Sequence, residues 1–155
     1  MGTLLRRSPA ACRLPPAAMS RHEHLDEAAL AALVDRFYDR VQADAVLGPV
    51  FNPVVHDWDA HKRLLTDFWA SVVLRAGSYR GNPMAAHRAL PQVRAEHFEH
   101  WLALWAATTA EVLGAAAAAQ MQGYAARIGT GLRMGLGLAP VSGRGLGVPL
   151  VNAPR

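Results

Sequence analysis

The stretch Asn82-Pro83-Met84-Ala85-Ala86-His87-Arg88-Ala89-Leu90-Pro91 decides how the rest of the chain is read. Asn82 suits a helix N-cap, and Pro83 suits the first turn, where a missing N–H costs nothing. Pro91 drives Leu90 out of helical geometry, so the helix stops there. The spacing predicts about two turns that present His87 with Met84 and Leu90 as apolar neighbours. An imidazole on so short and firmly bounded an element is well placed to ligate something. A helical histidine on its own is more often an ordinary polar residue, so the company it keeps matters. That company is Tyr38, His61 and Trp101.

Upstream of this element, residues 57–74 read as a helix. His61, Leu65, Phe68 and Trp69 recur at i, i+4, i+7 and i+8, so one face carries a histidine followed by bulky apolar groups. Lys62, Arg63 and Asp67 fall on other faces, where they can stay solvated. Residues 25–43 read as a first amphipathic helix, with Leu30, Leu33, Val34, Phe37 and Val41 as its stripe and Tyr38 beside it. Between these helices, residues 47–53 hold two prolines and a glycine and read as a break. Phe51 is a large apolar ring in that loop, so something must bury it.

Downstream, residues 94–113 form a long helix with Phe98, Trp101, Leu102 and Trp105 as its buried stripe. Residues 115–134 form an alanine-rich helix whose Tyr124, Ile128 and Leu132 lie on one face. Its Gly123, Gly129 and Gly131 weaken it but allow close helix packing. No segment reads as a good strand. Four substantial helices and one short one make the class all-α.

The tails differ from this body. Residues 1–22 are expected to be a disordered extension, although an Arg-containing, acid-free start also loosely matches an organelle transit peptide. Residues 135–155, rich in Gly and Pro without periodicity, are expected to be a disordered tail. The folded domain is then 23–134. The formal charge of the 155-residue chain is +4, which could suggest a nucleic-acid partner. Its distribution argues otherwise, because residues 20–134 hold eleven basic against twelve acidic side chains. The one cysteine, Cys12, permits no intrachain disulfide and fits a reducing, cytoplasmic setting. No apolar run reaches the ~18–20 residues of a membrane span. Neither nucleic acid nor membrane is expected as a partner.

Phenol, imidazole and indole N–H groups are all costly to bury without a partner. If Tyr38, His61 and Trp101 converge on one apolar pocket, they suit an anion-like ligand, with His87 facing them. LGPVFNP at 47–53, WDAHKRLLTDFWASVVL at 58–74, PMAAHRALP at 83–91 and EHFEHWLALW at 96–105 together resemble a group III truncated haemoglobin. The resemblance spans roughly residues 25–134. It implies a truncated-globin fold, the two-over-two helical sandwich, around haem b. It implies His87 as the proximal iron ligand and Tyr38, His61 and Trp101 as distal ligand-binding residues. Phe51, Leu65, Phe68 and Trp69 are implied to pack on the haem, as is Trp101. The second nitrogen of His87 is expected to donate to a carbonyl such as that of Pro83. Arg80, Arg88 and Lys62 are the candidates to pair with the haem carboxylates.

The function implied is reversible binding of O₂, and of NO or CO. The enzymatic alternative, NO dioxygenase or peroxidase chemistry on the same haem, calls for a separate reductase. A third reading drops haem: His61, His87, His97 and His100 could bind Zn or Cu, or the bundle could dock a partner. On helical spacing, His97 and His100 are expected on the wet side of their helix.

Overall fold

The computed structural model describes residues 20–90 and 92–138. The two expected disordered tails therefore lie almost wholly outside the described residues, and so does Pro91. The helices are α1 (Glu27–Ala43), α2 (Gly48–Phe51), α3 (Trp58–Val73), α4 (Pro83–Arg88), α5 (Ala95–Val112) and α6 (Ala115–Gly135).

Their starts are set by short polar side chains that satisfy first-turn N–H groups. The carboxylate of Asp26 accepts from Ala29 N at 2.8 Å. Asp57 accepts from Ala60 N at 2.9 Å. The Asn82 amide oxygen accepts from Ala85 N at 3.1 Å. In α5 the cap is reversed: His97, in the first turn, accepts from Arg94 N through Nδ1 at 2.9 Å. The sequence treats residues 47–53 as a break, yet four of them form the single turn α2. Asp44 organises it, accepting from the N–H groups of Val46 and Leu47, both at 2.9 Å.

Helix α1 packs on α3, α5 packs on α6, and α1 crosses α5 to join the two pairs. This is the two-over-two arrangement. The apolar stripe of α1 is fully buried in the crossing. Phe37 sits at its centre, edge-on to Tyr38, Trp101 and Trp105 with ring centroids 4.8–4.9 Å apart. Trp105 is stacked between Trp69 (4.9 Å) and Trp101 (5.0 Å). Its indole N–H donates to Met121 O at 3.2 Å, tying α5 to α6. Of the three glycines expected to ease packing in α6, only Gly129 has a neighbouring element close by, the Leu102 side chain at 3.9 Å. At Gly123 and Gly131 no atom of another element lies within 4 Å of where a Cβ would sit.

At the N-terminal edge, His22 N donates to Val112 O and Gly114 N donates to His22 O, both at 2.9 Å. This ties the chain leading into α1 to the α5–α6 junction. No described helix is long and apolar enough to cross a membrane.

Trp105 fills the centre of the fold with no exposed surface. Trp105→Ala should therefore cost about 3–5 kcal/mol of folding free energy, as large-to-small core substitutions do. Urea unfolding followed by circular dichroism would measure the loss.

Candidate functional site

A cavity of about 660 Å³ opens between the helices, within the usual range for a small-molecule or cofactor site. Tyr38, His61, His87 and Trp101 all line it. So do Phe51, Leu65, Phe68 and Trp69. The structure thus brings these eight residues, expected from the sequence to hold the haem and its ligand, onto one cavity. Its wall is dominated by aromatic and aliphatic groups, and among the described residues no lysine or arginine side chain lines it.

On one wall, α4 presents His87. Its Nδ1 lies 2.6 Å from the carbonyl oxygen of Pro83, one turn earlier. A carbonyl only accepts, so Nδ1 carries the proton and Nε2 keeps its lone pair. The hydrogen bond expected from the sequence is present. Phe98 lies against the imidazole, with ring centroids 6.1 Å apart and planes 28° apart. The helix ends at Arg88 with Ala89 as its cap, so it is about half a turn shorter than the Asn82–Pro91 spacing suggests.

On another wall, Tyr38 and His61 meet edge-on at 6.2 Å. Trp58, which the sequence reading passed over, closes this corner: it lies 6.1 Å from Tyr38 and 5.6 Å from His61. Only its aromatic character at the first position of α3 could have marked it. Burial pushes the Tyr38 phenol far above the usual tyrosine range, with the Trp101 side chain offsetting part of the rise. Burial also holds His61 below the ordinary histidine value. Both groups are neutral donors at pH 7.

Several polar residues lie elsewhere than expected. Lys62 does not line the cavity and is not solvated. Its ammonium sits between Asp35 (2.7 Å) and Asp39 (2.6 Å). Burial works against its charge, but those two carboxylates outweigh burial and raise its pKa. Arg80 and Arg88 are exposed and also lie off the cavity wall. None of the three expected carboxylate partners lines the cavity. His97 is not on the wet side of α5: it is half-buried and lines the cavity. His100 is partly covered and bonded through Nε2 to Asp44 at 2.8 Å. Among the described residues, no three His, Cys, Asp or Glu side chains gather as a metal site. The four histidines therefore form no shared Zn or Cu centre.

The two-over-two helical sandwich, with His87, Tyr38, His61 and Trp101 on one apolar cavity, is the arrangement expected of a truncated globin. No family model matches the chain. A curated group 3 truncated haemoglobin from Campylobacter jejuni is 36% identical over 89 residues, covering 55% of this chain and 70% of that protein. The crystal structure of a group III truncated haemoglobin from Campylobacter jejuni superposes with a TM-score of 0.72 at 29% identity. That match covers 81% of this chain and all of the other. The chain belongs to the group III truncated haemoglobins, a family of haem proteins.

The burial of His61 has a pH consequence. Burial holds its folded pKa below the ordinary histidine value of 6.5, so the unfolded chain binds its proton more readily. The favourable contribution of neutral His61 is present above about pH 6.5 and is lost as pH falls below it. NMR titration of the folded chain without cofactor should place the His61 midpoint below 6.5. A midpoint at or above 6.5 would contradict the buried placement.

Proposed function

We propose that this chain holds haem b through Nε2 of His87 and binds O₂ reversibly, with NO and CO as alternative ligands. The observation that carries the reading is the Nδ1–H of His87 donated to Pro83 O at 2.6 Å. In the neutral ring it leaves Nε2 with a free lone pair on the wall of an apolar cavity that also holds Tyr38, His61 and Trp101. The cavity fits a flat, largely apolar group, with Phe51, Leu65, Phe68 and Trp69 supplying the contact surface. The sequence contains no Cys-x-x-Cys-His attachment motif, which supports a non-covalent haem. The single cysteine supports a cytoplasmic setting.

Haem held by His87 would supply an iron centre able to bind a diatomic gas. The chain's own contribution is twofold. The bond to Pro83 fixes the orientation of the His87 ring and raises its basicity. Opposite it, Tyr38 keeps its proton because burial disfavours the phenolate, and the Trp101 N–H can only donate. His61 stays neutral for the same reason. Donors at this corner stabilise a ligand that acquires negative charge there, and surrounding aromatic groups keep water from competing.

Absorption spectra test the first half. The purified chain given haemin should show a Soret band that shifts on reduction and on adding CO. His87→Ala should lose that signature and recover it only with added imidazole. No Soret band, or one indifferent to His87, would remove the reading. The second half is tested kinetically. A hydrogen bond to a charged group contributes about 1.5–3 kcal/mol, so Tyr38→Phe should speed O₂ release about 10- to 100-fold. Stopped-flow displacement by CO would measure this. Unchanged release in both Tyr38→Phe and Trp101→Phe would show that these donors do not hold the ligand.

A further inference from the structure

We propose that His97 anchors a carboxylate of the bound haem by donating its Nε2–H. The proposal rests on the reading that the cavity holds haem, and it concerns the edge of that group rather than its metal. Haem carries two carboxylates, and an ionised carboxylate at an apolar opening needs a donor. The cations expected to serve do not line it: Lys62 is held by Asp35 and Asp39, and among the described residues no arginine or lysine lines the cavity.

The donors that do line it are few. Tyr38, His61 and Trp101 belong to the gas-binding corner, and His87 is the axial ligand. Tyr79, His56 and His97 remain. Tyr79 is packed edge-on against Phe68 at 5.2 Å, with its phenol folded over Gly81. His56 is exposed, in the link before α3. His97 is half-buried in the first turn of an 18-residue helix, and its tautomer is defined. Its Nδ1 accepts from Arg94 N at 2.9 Å, so in the neutral ring the proton must sit on Nε2. The cap therefore makes His97 a donor that needs no positive charge. Its neighbour Phe98 lies against the His87 ring, which sets His97 on the same side of the cavity as the axial imidazole. The first turn of α5 adds a favourable field for a negative group.

Two substitutions separate anchoring from capping. A glutamate is a usual first-turn partner in a capping box, so His97→Glu keeps an acceptor for Arg94 N but offers a repelling carboxylate in place of the N–H. His97→Gln keeps both an acceptor and a donor. The loaded protein is mixed with excess apomyoglobin and haem transfer is followed at the Soret band. The same assay is run with haem dimethyl ester, which has no free carboxylates. His97→Glu should lose haem about tenfold faster than the wild type, while His97→Gln stays within about threefold. With the dimethyl ester, the difference between His97→Glu and the wild type should shrink to less than twofold. Equal loss from His97→Glu and the wild type, or equal acceleration with haem and its ester, would overturn the proposal. Circular dichroism and melting of the unloaded variants check the cap. Should His97→Glu fold poorly, a wild-type chain that releases haem and its dimethyl ester at the same rate would overturn the contact by itself. A wild type that takes up no haem defeats the proposed function instead, and is recognised by the missing Soret band.

Discussion

Trp105 lies stacked between Trp69 and Trp101 and meets Phe37 edge-on. These rings come from α1, α3 and α5, so one aromatic block joins the two helix pairs. Such ring pairs contribute roughly 0.5–1.5 kcal/mol each beyond the area they bury. The geometry matters as much as the energy. Trp69 and Trp101 each belong to the block and to the cavity wall. A side chain packed on both sides has few rotamers available. The position of the Trp101 N–H is therefore inherited from the core rather than arranged separately for the site.

The same burial sets the electrical character of the cavity. Tyr38 and His61 are neutral because a charge there would lose its water. His87 is set differently, by a hydrogen bond that decides which ring nitrogen of the neutral imidazole carries the proton and how the ring is turned. The carbonyl of Pro83 accepts it. Pro83 thus has two roles: its ring starts α4, and its oxygen defines the tautomer of the residue one turn on. Charges are spent on the outside of the helices, as in the Lys62 cluster and in Arg36 and Arg40 with Glu111. There they join α1 to α3 and α1 to α5 without entering the cavity.

The helices were legible because their signals are local. Asp26, Asp57 and Asn82 cap where a short polar residue precedes an apolar period, and the His61–Leu65–Phe68–Trp69 face turns inward as its spacing requires. The cavity residues were legible through the family resemblance combined with that spacing. What escaped depends on contacts between distant segments. α2 is too short to show a period. Lys62 looks solvated until α1 brings Asp35 and Asp39 beside it. His97 was misplaced because helical spacing alone does not show its first-turn bond back to Arg94. Its position three residues past the helix cap was the available signal. Trp58 gave only a weak one, since it precedes the stripe that marks α3.

Helix α4 has six residues, well short of the ~12–15 at which isolated helices become even marginally stable in water. None of its residues is fully buried. Its order is therefore borrowed: from the Asn82 cap, from the stiff Pro83, and from whatever rests against His87. A cargo that ligates His87 binds the formed turn and not the melted one, so by mass action its binding free energy becomes conformational free energy of that wall. The cavity is a vessel whose thinnest side is completed by its contents. For a ligand of His87, uptake and the local order of α4 would then be linked, and the affinity would include part of the cost of winding one and a half turns of helix.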